Sequence, residues 1–262
     1  MEKELECNRL AWDEMAGIHM AGAYPVEDFK AGRAGMKPNI PDDIGPVRGK
    51  ELLHLQCHFG MDTLMWARQG AIVTGVDFSP VAISGARALA QEVKLDARFV
   101  ESDVLELPTR LDGQFDIVLT YYGVLPWLPD LGRWAKVVAH FLKPGGIIYV
   151  ADTHPFAAMI DVKKGGLLPK LYYPYFAYEP IRFESSAGTY ADTAAPRRQR
   201  ITYEWQHPLG EIVNSLAAAG LRIEYIHEFP YLFYDQYYET PGLMAQDEAG
   251  YWHLVGRGDS TP

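Results

Sequence analysis

The chain has 262 residues, 48% of them hydrophobic, which suits one large domain or a domain with a substantial insertion. Its 24 Lys and Arg against 34 Asp and Glu give a formal charge of −10, which argues against nucleic acid as a partner, because binding a phosphate backbone needs clustered cations. Arg197-Arg198-Gln199-Arg200 is the one basic cluster, and a solvated loop accounts for it better. The two cysteines, Cys7 and Cys57, show no metal-ligand spacing. The acidic N-terminus has no apolar signal region, and no apolar run approaches the ~20 residues of a membrane span. A cytoplasmic protein with neither metal nor membrane partner is expected.

Residues 1–50 hold a short amphipathic stretch, Leu10 to Gly17, and then a loop rich in Gly and Pro. This predicts an N-terminal arm packed over the rest. From Glu51 strands and helices alternate. An apolar run at 51–56 stops at a tight turn, and a helical pattern follows at 61–69. The second strand, 71–77, is apolar almost throughout, as a strand buried on both faces should be. Ser79-Pro80 opens a helix, with Ser as N-cap and Pro at the first helical position, and Ile83, Ala86, Ala90 and Val93 supply its buried stripe. Strands three and four follow at 97–101 and 115–120. Asp130 caps a helix with Leu131, Trp134, Val138 and Phe141 on one face, Lys143-Pro144-Gly145-Gly146 ends it, and strand five occupies 147–152. Such alternation predicts an α/β fold, a doubly wound and mostly parallel sheet with helices on both faces.

After strand five the rhythm breaks. Residues 153–206 carry no helical pattern and cluster Tyr172, Tyr173, Tyr175, Phe176 and Tyr178, as an inserted lid or subdomain would. Leu209, Ile212, Val213 and Leu216 predict a helix ended by Gly220, and 221–226 alternates as an edge strand six. The remainder is aromatic and irregular: Phe229, Tyr231, Phe233, Tyr234, Tyr237, Tyr238, then Tyr251-Trp252. The predicted organisation is an arm at 1–50, a core at 51–152, an inserted lid at 153–206 and a C-terminal part at 207–262.

The turn between the first strand and its helix, in Leu52 to Leu64, lies where α/β folds bind nucleotides. A loop there should be rich in glycine so that backbone can approach a ligand. Only Gly60 is present, and Gln56 and His58 stand where two more glycines would be expected. Asp77, seventeen residues after Gly60, can accept hydrogen bonds from both hydroxyls of a ribose. Phe78 is placed to stack near an adenine. A capping role for Asp77 is weakened because Ser79 already takes it.

With Ser102-Asp103-Val104, Gly113-Gln114-Phe115-Asp116-Ile117-Val118 and Leu142-Lys143-Pro144-Gly145-Gly146, residues 51–152 resemble the class I S-adenosylmethionine (SAM)-dependent methyltransferases of small-molecule type. The resemblance implies a Rossmann-like sheet of seven strands, the last antiparallel, with Tyr251 to Val255 as a short seventh strand or the chain stopping before one. It implies SAM as cofactor and S-adenosylhomocysteine as product. Gln56, Cys57, His58 and Gly60 would offer backbone to the methionine half, and Asp77 would hold the ribose beside Phe78 and Ser79. Ser102, Asp103 and Val104 would border the adenine, with Thr120 and Tyr121 at the end of strand four. The departures are His54, where the family has an acid, and the missing glycines at 56 and 58. They leave two readings, a rebuilt loop that still binds SAM or a decayed pocket. Retention of Asp77 and Asp103 favours the first.

A sulfonium is a good leaving group, so the protein's task is in-line positioning and exclusion of water. An alcohol or phenol acceptor must also lose a proton. His154, after strand five, is the candidate base, a structural histidine in a Thr-His-Pro turn being the alternative. His19 and His207 are weaker candidates. Tyr121 and Tyr122 could orient the acceptor. The aromatic insertion suits an aromatic or cationic acceptor, and equally a homodimer interface. Methyl transfer to oxygen or nitrogen of a small molecule is therefore expected. The alternatives are a SAM-binding protein without chemistry and an RNA or protein methyltransferase. A nicotinamide dehydrogenase is disfavoured because the G-x-G-x-x-G fingerprint is missing.

Overall fold

The computed structural model describes residues 1–36, 39–161, 170–185, 188–237 and 242–255. Tyr238, singled out above, lies outside them. Helix α1 (Glu2–Ile18) runs into a single wide turn at His19–Ala23, followed by α2 (Val26–Lys30) and α3 (Asn39–Ile44). Then come β1 (Glu51–Leu55), α4 (Met61–Arg68), β2 (Ile72–Asp77), α5 (Pro80–Glu92), β3 (Arg98–Glu101), β4 (Phe115–Tyr121), α6 (Leu131–Phe141) and β5 (Leu142–Ala151). These five strands form one parallel sheet in the order β3-β2-β1-β4-β5. Two pairs of short strands follow, β6 (Ile160–Asp161) with β7 (Lys170–Leu171) and β8 (Ile181–Glu184) with β9 (Ile201–Glu204), then α7 (Leu209–Ala218) and a last pair, β10 (Met244–Gln246) with β11 (Trp252–Leu254).

Because side chains alternate along a strand, the sheet feeds two cores. Leu53, Leu55 and Val118 pack with Trp134, Val138 and Phe141 of α6 and Leu216 of α7. Leu52, Val73, Ile117 and Leu119 pack on the other face with Trp66 of α4. A third cluster joins α4, α5 and the arm through Phe29, Phe59, Leu64 and Ile83. The expected caps are present. The Ala82 amide donates to Ser79 Oγ over 3.0 Å and the Arg133 amide to Asp130 Oδ1 over 2.8 Å.

Three details depart from the sequence expectations. The amphipathic stretch at 10–17 is part of a 17-residue helix, because Asn8, Ala11, Met15 and Ala16 bury a stripe against the body of the protein. Asn8 anchors it by exchanging two hydrogen bonds with the backbone of Tyr203 on β9. Residues 221–226 alternate like a strand yet form none. They face β5 across a groove, and without a ladder partner the alternation only lets Leu221 and Ile223 rest on the α6 core. Trp252–Leu254 is a strand, but it pairs with Met244–Gln246 and not with the main sheet. Among the described residues the central sheet therefore has five strands, not seven, with β5 at its edge.

Candidate functional site

The carboxyl ends of β1, β2, β3 and β4 converge on a cleft of about 1030 Å³, part of it open to solvent. Its floor is the loop from Gln56 to Gly60. The backbone there is left-handed at alternate positions, with φ of 55° at Gln56, 52° at His58 and 72° at Gly60. The turn thus keeps a glycine-type path with two residues that carry side chains, at a cost of roughly 1–2 kcal/mol for each. Of these three, only position 60 leaves no room for a side chain unless its neighbours move. A Cβ there would stand 2.6 Å from the Phe99 ring and 2.9 Å from Ala86 Cβ.

Compensating bonds hold the loop in place. The Cys57 amide donates to the Val76 carbonyl over 2.8 Å, and the His58 amide donates to Asp77 Oδ2 over 2.8 Å. The other Asp77 oxygen accepts the Ser79 amide at 2.9 Å. Burial pushes the Asp77 carboxyl up to about 6, and these amide bonds oppose the rise. His54, at the position where the family has an acid, is buried, stacks on Tyr121 at 4.7 Å and shares a 2.8 Å hydrogen bond with Thr63. Burial lowers it to about 3, so it is a neutral polar link between β1 and α4.

The side chains of the loop reach outward. Gln56 Nε2 donates to the Val124 carbonyl over 3.1 Å, joining the β1 loop to the one after β4, while its buried Oε1 has no hydrogen-bond partner among the described residues. His58 meets His19 of the arm, Nε2 to Nδ1, at 2.9 Å. Burial lowers His58 to about 3 and His19 to about 4, so both are neutral and one donates to the other. Trp12 of α1 sets its ring edge-on to His58 at 5.4 Å and to Trp127 at 5.2 Å. Tyr24 of the arm and Tyr190, which follows β8, share a 2.5 Å hydroxyl contact and also line the cleft.

Asp152, just past β5, organises the far wall. Its carboxylate accepts the amides of Gly123, Val124 and Leu125, each at 2.9 Å. Tyr122 precedes them with φ 67°, and its buried hydroxyl has no hydrogen-bond partner among the described residues.

Of the residues predicted from sequence, Gln56, Cys57, His58, Gly60, Asp77, Phe78, Ser102, Asp103, Val104, Tyr121 and Tyr122 line this cleft together. Ser79 lies beneath it as the α5 cap and donates through Oγ to Asp13 at 2.5 Å. Thr120 is fully buried in the sheet. His154 stands outside the cleft, exposed in the groove beside β5, with Nε2 2.7 Å from Glu228. His207 is buried and bonds the Leu128 carbonyl at 2.8 Å. Trp127, Tyr190 and Asp152 were not identified from sequence as site residues. An acid at the end of a strand was the one signal available, for Asp152.

A methyltransferase-domain family model matches residues 53–150. The ubiquinone biosynthesis O-methyltransferase of Coxiella burnetii is 32% identical over 169 residues, covering 62% of this chain and 70% of that protein. Its counterpart from Escherichia coli O127:H6 is 32% identical over 112 residues, covering 42% and 45%. Among solved structures, an S-adenosylmethionine-dependent methyltransferase from Mesorhizobium loti superposes with a TM-score of 0.53 at 20% identity, covering 74% of this chain and 83% of that one. The complex of DhpI with S-adenosylhomocysteine superposes with a TM-score of 0.52 at 18% identity, covering 84% and 88%, and these two show the shared fold. The chain belongs to the class I SAM-dependent methyltransferases and is an enzyme of that family with SAM as its methyl donor.

Proposed function

We propose that this enzyme methylates an oxygen of a small molecule held against the aromatic walls of the cleft. The observation that carries the reading is that Trp12, Tyr24, Tyr122, Trp127 and Tyr190 line the same cleft as the left-handed loop. They make the cleft mostly apolar, as small-molecule sites are. The relatives' name favours oxygen over nitrogen.

The residues present suit the methyl donor. Asp77 is held by the protein's own amides on both oxygens and keeps acceptor capacity for a ribose hydroxyl. Gln56 Oε1 is an unused buried acceptor suited to an ammonium group. Asp103 commits Oδ1 to the Leu105 amide, leaving its other oxygen for an adenine amine. Cys57, His58 and Gly60 would border the methionine half, and Phe78, Ser102 and Val104 the adenine. When bound, the donor supplies an electrophilic methyl group on a sulfonium. The protein orients the acceptor and, with α1 and the stretch around Tyr190 as cap and lid, keeps water out. Among the described residues no helix is long and apolar enough to cross a membrane, and a cytoplasmic location fits that.

Calorimetry with SAM and S-adenosylhomocysteine, followed by radiolabelled methyl transfer to panels of phenols and amines, tests the reading. Transfer to phenols is the expected result. Transfer only to amines would move the acceptor atom to nitrogen, and binding without transfer to any panel would favour a non-catalytic SAM-binding role.

A further inference from the structure

We infer that the Tyr122 hydroxyl donates a hydrogen bond to the reacting oxygen of the acceptor, and that Asp152 is the positioning residue that holds Tyr122 in place for it. The assignment rests on the oxygen-acceptor reading above and names the group that selects oxygen.

Two costs meet at Tyr122. Its φ of 67° is left-handed, a conformation that glycine or asparagine adopts with little strain and a tyrosine does not. Its buried hydroxyl has no hydrogen-bond partner among the described residues, which is unfavourable until a partner arrives. A strained residue with an unmet donor in the wall of a cleft is the pattern of a residue kept for a ligand. The other tyrosine hydroxyls of the cleft are engaged. Tyr24 and Tyr190 bond each other, and Tyr121 accepts the Trp66 indole N–H at 3.3 Å. Burial holds the Tyr122 phenol far above its usual range, so it stays protonated and acts as a donor.

The fold fixes where that donor stands. The Tyr122 amide donates to the Ala151 carbonyl over 2.7 Å, at the end of β5. Gly123, the next residue, is left-handed as well, with φ 77°. Asp152 gathers the amides of Gly123, Val124 and Leu125, and also accepts the Thr153 amide at 2.7 Å. These bonds tie the turn after β4 to the end of β5 on either side of the strained residue. The Tyr122 ring is set edge-on to Tyr121 at 5.0 Å and to Phe233 at 5.4 Å. Asp152 lines the groove beside β5 and not the cleft, whereas Tyr122 lines both. Asp152 therefore acts on the cleft through Tyr122.

The bond discriminates between acceptor atoms. A hydroxyl oxygen has two lone pairs, so one accepts from Tyr122 while the other faces the methyl group. A neutral amine nitrogen has a single lone pair and cannot do both. In the step, the second oxygen lone pair forms the bond to the methyl carbon as the carbon–sulfur bond breaks, its electron pair passing to sulfur. The acceptor's own proton is lost to water, and Tyr122 keeps its hydrogen throughout. The products are the methyl ether, neutral S-adenosylhomocysteine and a proton.

The test uses the full chain, SAM and a panel of phenols with anilines of matching shape, 4-methylphenol and 4-methylaniline first. Tyr122→Phe keeps the ring and removes only the hydroxyl. It should lose roughly tenfold or more in kcat/KM on phenols, while any transfer to anilines does not fall and SAM affinity by calorimetry stays within threefold. Asp152→Asn should also lose phenol activity, and combining it with Tyr122→Phe should cost no more than the larger single loss. A wild-type phenol rate in Tyr122→Phe overturns the assignment, as does loss of SAM binding in that variant or an equal loss on anilines. Losses that multiply in the double variant overturn the positioning role of Asp152. No transfer by the wild type to any phenol overturns the oxygen-acceptor reading, and the assignment falls with it.

Discussion

The His58 amide and the Asp77 carboxylate are 2.8 Å apart, so the loop after β1 is fastened to the acid at the end of β2. The same carboxylate that suits a ribose therefore also sets the left-handed turn beneath it. Asp77→Asn should weaken SAM binding by about 2 kcal/mol, the worth of a hydrogen bond to a charged group, read by calorimetry. Wild-type affinity should also fall as pH drops below about 6, because the carboxyl then protonates. For the free enzyme the sign reverses. A carboxyl raised on folding stabilises below its unfolded value near 3.8, and that contribution is lost as pH rises through about 6.

Glu204 follows the same rule at higher pH. With its carboxyl raised from 4.5 to about 7, the ionised form is the unfavourable one in the fold. Glu204→Gln should therefore raise stability at pH 8 by up to about 3 kcal/mol and change little at pH 4. Thermal unfolding at the two pH values checks this. An equal effect at both would mean the carboxyl is not raised.

Lys94 offers a clean measure of left-handed strain. It follows α5 with φ 55° and an exposed side chain, and the Leu95 amide bonds back to Ala90 at 3.0 Å, a helix-ending turn that glycine favours. Lys94→Gly should stabilise the protein by about 1 kcal/mol in urea unfolding.

Gly60→Ala should do the opposite. The new Cβ would add left-handed strain and collide with Phe99 and Ala86. A loss of about 2–5 kcal/mol is expected, with SAM binding impaired in whatever protein remains folded. Urea unfolding and calorimetry on the same sample separate the two effects.

His154→Ala should leave methyl transfer within about threefold of wild type, far short of the ~10²-fold that loss of a base brings. The imidazole is exposed and pairs with Glu228 outside the cleft. A large loss with SAM binding intact would return the base role to it.

The parts of the fold that follow from neighbours in sequence could be read directly. Ser79 and Asp130 cap their helices because a cap needs only the next three residues, and β1 to β5 announce themselves as apolar runs between breakers. Asp77 was legible because its distance from Gly60 and its place after a strand are both local. The left-handed turn at Gln56 and His58 was not, since nothing in an L-residue's identity records a positive φ that tertiary bonds sustain. Strand six failed for a related reason. Alternation at 221–226 specifies which side chains turn inward, but a strand also needs a neighbour to complete its ladder. Trp12, Trp127 and Tyr190 come from three separate stretches, and only the tertiary fold makes them one wall.

The groove between β5 and residues 221–237 has a consequence for solubility. β5 pairs with β4 on one side only, and a bare strand edge is a template on which another chain can add. The irregular stretch from Leu221 to Tyr237 borders that edge without a backbone ladder to it. It serves as a fender, keeping the outermost strand of one molecule from meeting that of the next.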